Sequence, residues 1–133
     1  IQLARRGAEV AVVGREPGRV REAAREAGGA HEHVADLASL DEVRRLAAEM
    51  LERYPRIDVL ANNAGAMFTS RHVTSDGFEQ TFALNHLSPF LLTRALRPLL
   101  EAAAPSRVIV VASGGMYTAP LDVDALEPEP LNG

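Results

Sequence analysis

The 133 residues include no cysteine. Disulfides, thiolate catalysis and zinc–thiolate sites are therefore excluded. Lysine is missing as well: all 14 basic residues are arginine, so this chain has no lysine amine to give to a mechanism. A compositional bias toward arginine and alanine accounts for the pattern, and its chemical consequence holds whatever the source. No apolar run approaches the ~20 residues that cross a bilayer, and no basic-then-apolar leader pattern opens the chain. A formal net charge of −4 argues against a nucleic-acid surface, which needs a basic stripe. A cytoplasmic setting is the expectation. What is present suits one globular domain with a real core, since 47% of the residues are hydrophobic and 24% charged.

Two kinds of segment alternate along the chain. "IQLARRG" has helical spacing and reads as the last turns of a helix stopped by Gly7. "AEVAVVG", Ala8 to Gly14, is a β-branched run suited to a buried parallel strand. A helix follows from Pro17, with Val20, Ala23, Ala24 and Ala27 on one face and Gly28 and Gly29 at its end. "HEHVA" predicts a strand. "SLDEVRRLAAEMLERY" predicts a helix with a Ser39–Glu42 capping box and a buried stripe of Leu40, Val43, Leu46, Ala47 and Met50. Ile57 to Ala61 predicts the next strand. One long helix is expected from Asp76 to Ala104, its stripe including Phe78, Phe82, Leu92, Leu96 and Leu99, with Pro89 loosening or kinking its interior. "RVIVVAS" predicts the last strand, and the acidic, Pro-rich "LDVDALEPEPLNG" a loop or tail. Strict alternation implies an α/β fold with a parallel sheet covered on both faces. No internal repeat or domain boundary appears.

In such sheets ligands bind beyond the carboxyl ends of the strands. The first exit carries Gly14 and Arg15, with Arg19 one turn into the next helix. Two guanidiniums can clamp a phosphate, or both can be solvated surface arginines. The second exit carries Asp36, which can accept from an adenine amino group or cap its own loop. The third, "DVLANNAG", puts two adjacent asparagines after a buried strand, a costly choice unless their amides find partners. Gly65 there allows close approach to a flat ligand. Asn85 sits mid-helix against its propensity. It loosens the helix or holds a water near the site, or is a satisfied polar residue beside Pro89. His31 and His33 share one strand face, as metal ligands can, but no third ligand is near in sequence, and a plain edge strand is the expectation. His72 and His86 read as surface or helix-packing residues.

In their order, "VVGR", "ADLAS", "DVLANNAG", "LNHL" and "RVIVVASGG" resemble the short-chain dehydrogenase/reductase family. "DGFEQTFALNHLSPFLLTRAL" looks most like its retinol-dehydrogenase-like branch. The resemblance spans nearly the whole chain. It implies a Rossmann-type doubly wound parallel sheet, here incomplete, with residues 1–133 forming part of a dinucleotide-binding domain. It implies hydride transfer between NADP, or NAD, and a small alcohol or carbonyl substrate. Gly14, Arg15 and Arg19 would then hold the cofactor, Arg15 favouring NADP. Asp36, with Leu37 beside it, would meet the adenine. Asn62, Asn63, Ala64 and Gly65 would line the cofactor and steady the sheet. Asn85 would hold a proton-relay water, and Ser113 would hydrogen-bond the substrate oxygen.

The chain departs from the family in two places. The family's first strand and Gly-rich turn, TGxxxGxG, have no counterpart here. Nor has the YxxxK pair, because Leu121 stands four residues after Tyr117 and lysine is absent throughout. Tyr117, close behind Ser113, is expected to be a loop residue. In the strand order 3-2-1-4-5-6, the strands here correspond to the second through fifth, which leaves a gap in mid-sheet. The expectation is a segment of a longer protein, truncated at both ends and inactive alone, with oligomer formation possible at full length. A non-catalytic dinucleotide sensor or scaffold, or a decayed fragment, are the alternatives.

Overall fold

A computed structural model describes residues 2–117 and Val123. Its first three helices fall where the helical segments were expected, two of them on buried apolar stripes. Helix α1, Gln2–Arg5, ends where Gly7 takes φ +87°. Helix α2, Pro17–Glu26, starts at its proline and buries Val20 and Ala24. Helix α3, Leu40–Arg53, buries all five stripe residues, Leu40, Val43, Leu46, Ala47 and Met50. Its expected capping box is half formed. Ser39 Oγ accepts from the Glu42 N–H at 3.4 Å, but the Glu42 carboxylate turns away to Arg45, at 2.8 and 3.1 Å. Arg45, one turn on, outbids a backbone N–H that Asp36 already satisfies through its carbonyl.

The four strands are β1, Ala11–Gly14, β2, His31–Val34, β3, Val59–Asn62, and β4, Arg107–Val110. They are shorter than the apolar runs. Both strand pairs are parallel: β1 with β2, Gly14 opposite Val34, and β3 with β4, Asn62 opposite Val110. Among the described residues no ladder joins the two pairs. These are the 2–3 and 4–5 neighbours of the order anticipated from the sequence, so the architecture is an incomplete Rossmann-type sheet.

The expected long helix is broken, and for identifiable reasons. Asp76 and Gly77 lie in a turn, with Gly77 at φ +84°, so Phe78 precedes the helix and is 36% exposed. Helix α4, Gln80–Phe82, passes into a π turn, Ala83–Leu87, where the Ser88 N–H reaches back to the Ala83 carbonyl. Helix α5, Ser88–Ala95, stops at Leu96, and α6, Arg97–Ala102, follows. Pro89 and Pro98 lack the N–H groups that an α-helix would aim at the carbonyls of Asn85 and Arg94.

One core spans both strand pairs. Leu46 and Leu96 are fully buried between α3 and α5, in contact with Val43, Ala35 after β2 and Leu60 in β3. Each such leucine contributes about 1.5–3 kcal/mol on burial. β2 is pinned to α3 by His33, whose side chain is entirely buried. In the neutral imidazole, Nδ1–H donates to Glu49 Oε1 at 2.8 Å and the Tyr54 hydroxyl donates to Nε2 at 2.7 Å. Burial raises the Tyr54 phenol above its ordinary value, which keeps it a donor. His31 bonds Glu9 and Arg53, so both strand histidines serve packing. His86 stacks on Phe82 and His72 bonds Ser70, in line with the surface and helix-packing roles expected of them. The acidic C-terminal segment, Val123 apart, lies outside the described residues.

Candidate functional site

Parallel pairing places the exits of β1 and β2 at one end of the first pair, and those of β3 and β4 at one end of the second. At the exit of β1 a cleft of about 390 Å³ is lined by Gly14, Arg15, Glu16, Arg19 and Val20. A Cβ on Gly14 would stand 3.0 Å from Val20 Cγ2, so a larger residue there would press on the packing of α2 against β1. Arg15 and Arg19 are exposed and form no ion pair among the described residues. Two uncommitted guanidiniums at the start of a ten-residue helix make a site that favours an anion. Glu16 on the rim restricts how closely that anion can approach.

At the exit of β2, Asp36 does cap its own turn. Oδ1 accepts from the Ala38 N–H at 2.9 Å, and its carbonyl from the Ser39 N–H at 3.1 Å. Its second carboxylate oxygen has no partner among the described residues, so a further donor can still be met. Leu37 packs its side chain against the core.

The third exit divides its two asparagines between different tasks. Asn62, half buried, donates from Nδ2 to Thr93 Oγ1 on α5 at 3.0 Å. Asn63, Ala64 and Gly65 are exposed. Ala66 is clamped twice by Asn85: its N–H donates to Oδ1 at 3.0 Å, and its carbonyl accepts from Nδ2 at 2.8 Å. A Cβ on Gly65 would crowd Asn85 Oδ1 at 3.2 Å. The side chain of Asn85 is thus committed to backbone. Its own carbonyl is the group that Pro89 leaves without the usual helical donor.

Beyond β4, Val111 donates its N–H to the Asn62 carbonyl at 3.0 Å and extends the pairing toward Ser113. Ser113 is exposed, and its Oγ accepts from the Gly115 N–H at 3.2 Å. The 3-10 turn Gly114–Tyr117 follows, so Tyr117 ends a turn and is not on a long helix. No hydrogen bond joins Ser113 to Asn85 among the described residues. Sequence reasoning missed Thr93 and Asp76. The signals were a lone hydroxyl within an apolar helical stripe and an Asp-Gly turn pair.

Paired parallel strands, helices crossing between them and polar residues gathered at the strand exits define a nucleotide-binding α/β architecture. The family model described as short chain dehydrogenase matches residues 1–120, and the chain belongs to that family. It is 47% identical to a protein of Streptomyces sp. (strain C5) whose provisional name is daunorubicin C-13 ketoreductase DnrU, over 100% of this chain and 45% of that one. It is 40% identical to human retinol dehydrogenase 13, over 95% of this chain and 40% of the other. A metagenomic short-chain oxidoreductase solved in complex with NADP superposes with a TM-score of 0.68 at 31% identity, covering 80% of this chain and 51% of that one. The chain therefore spans less than half the length of these two curated relatives. Among the described residues no helix is long and apolar enough to cross a membrane.

Proposed function

We propose that residues 1–133 are the cofactor-binding part of an NADP-preferring oxidoreductase acting on a small alcohol or carbonyl compound. The observation that carries this reading is the pair of uncommitted guanidiniums, Arg15 and Arg19, at the exit of β1. An NAD-selective site places a carboxylate there for the ribose hydroxyls, and an arginine suits a 2′-phosphate. NADP supplies or accepts the hydride when bound. Gly14, Arg15 and Arg19 hold its phosphate-bearing ribose, Asp36 and Leu37 face the adenine, and Asn62, Asn63, Ala64 and Gly65 line the remainder. The open cleft beside Gly14, with two guanidiniums that form no ion pair among the described residues, supports the fit.

Toward the substrate, Ser113 donates to the oxygen that changes between alcohol and carbonyl. Asn85 acts in two ways: its amide fixes Ala66, and its carbonyl, which Pro89 cannot serve, holds the water of a proton relay. This chain supplies no lysine for a tyrosine–lysine acid/base pair, so the 133 residues alone are inactive. The test is equilibrium binding of NADPH and NADH to the wild type and to Arg15→Asp, using the protein as its gene expresses it. The expected result is a preference for NADPH that falls about tenfold or more, the scale of one lost charge-assisted contact. An unchanged preference refutes the role given to Arg15, and alcohol oxidation by the isolated 133 residues refutes the inactivity.

A further inference from the structure

The start of α3 is held by a residue far away in sequence. The Leu40 N–H, a first-turn donor of that helix, donates to Asp76 Oδ2 at 3.0 Å across 36 residues. This contact is shorter than the Ser39 cap on the same helix, at 3.4 Å. Asp76 is half buried, which lessens screening of a carboxylate set against a helix N-terminus. It stands in a built turn. Thr74 accepts at its carbonyl from the Gly77 N–H at 3.0 Å, its N–H donates to the Phe78 carbonyl at 2.8 Å, and the Gln80 N–H donates to the His72 carbonyl at 2.9 Å. Three residues on, Glu79 caps the helix leading to Asn85, accepting from Thr81 and Phe82 at 2.8 Å each. One short segment thus carries two carboxylates that fasten two helices. One helix starts beside Asp36 and Leu37, and the other leads into the turn bearing Asn85.

We infer that Asp76 is a positioning residue for the adenine end of the cofactor, holding the Asp36–Leu40 segment in register with the Asn85–Ala66 clamp. The inference rests on the proposed dinucleotide function. Asp76 touches no part of the cofactor itself; it acts through the Leu40 N–H on the backbone that follows β2. The aspartate in the turn, the glycine at φ +84° and the glutamate cap work as one strut between the two strand pairs.

The test measures binding of two halves of the cofactor, 2′,5′-ADP and nicotinamide mononucleotide, to the protein as its gene expresses it. Asp76→Ala is expected to weaken 2′,5′-ADP about fivefold, the scale of a lost helix cap, and to leave nicotinamide mononucleotide unchanged. Asp76→Asn, which keeps an acceptor without the charge, is expected to weaken it about twofold. Leu99→Ala, a core truncation, is expected to lower the melting temperature with no change in either affinity. Equal 2′,5′-ADP affinity in Asp76→Ala and wild type overturns the inference, as does equal weakening of both halves. Should Asp76→Ala fail to fold, Asp76→Asn decides alone, and wild-type affinity there overturns it. A wild type that binds neither NADPH nor 2′,5′-ADP overturns the proposed function together with this inference. A wild type that binds, beside an indifferent Asp76→Ala, overturns the inference alone.

Discussion

The two strand pairs differ in what covers them and in what they carry. β1 and β2 keep Val13 and His33 largely from solvent and end in arginines and an aspartate suited to a charged nucleotide. β3 buries Leu60, but every residue of β4 is exposed, Val110 at 63%, and this pair ends in asparagines, glycines and a serine suited to lining and proton handling. Among the described residues no ladder links them, and the core between α3 and α5 packs one pair against the other.

The largest expected effect comes from breaking that packing. Leu96→Ala should destabilise the protein by about 2–5 kcal/mol, because a fully buried leucine leaves a cavity. Denaturant unfolding checks this, and both pairs should lose hydrogen-exchange protection together. Separate loss would mean that the halves are independent. The next effect is chemical. In the protein as its gene expresses it, Asn85→Ala frees Ala66 and should lower kcat about 10²-fold with little change in NADPH affinity, the scale of a misplacement near 1 Å. A fall in affinity with kcat intact would move Asn85 to the recognition side.

A smaller effect tests the link between the halves through pH. Burial would raise the Glu79 carboxyl, but the Thr81 and Phe82 N–H groups outweigh it and hold it below its ordinary value of 4.5. A carboxylate depressed on folding contributes stability that is complete above its unfolded value and is lost as pH falls through its folded one. Glu79→Gln should therefore flatten the stability profile below about pH 4.5 and leave its slope near neutrality as it was. A changed slope at pH 6–8 would assign that titration to another group.

The helices were legible where a stripe of period 3.6 met clear stops, as in α2 and α3. Strand existence was legible too, though the ends were not: Ala8, Glu9 and Val10 precede β1, which begins at Ala11. The π turn was foreshadowed by Asn85 and Pro89, but its position depends on the Ala66 clamp, a contact across 19 residues. The Asp76–Gly77 turn was hidden inside an apparently continuous helical pattern, because Phe78 fits that spacing while an Asp-Gly pair does not. The burial of His33 was not legible, since its partners Glu49 and Tyr54 lie 16 and 21 residues away. Of the candidate site, the exits and their residue types could be read from the chain. What could not be read was which polar side chains were already spent: the amides of Asn62 on Thr93 and Asn85 on Ala66, and half of the Asp36 carboxylate on its own turn.

The central claim is that one dinucleotide bridges both halves. Amide hydrogen exchange with and without NADPH, on the protein as its gene expresses it, tests this most directly. Slowed exchange is expected in the Arg15–Arg19, Asp36–Leu40 and Asn63–Ala66 segments together. Slowing confined to one pair of strands, or none at all, would contradict it.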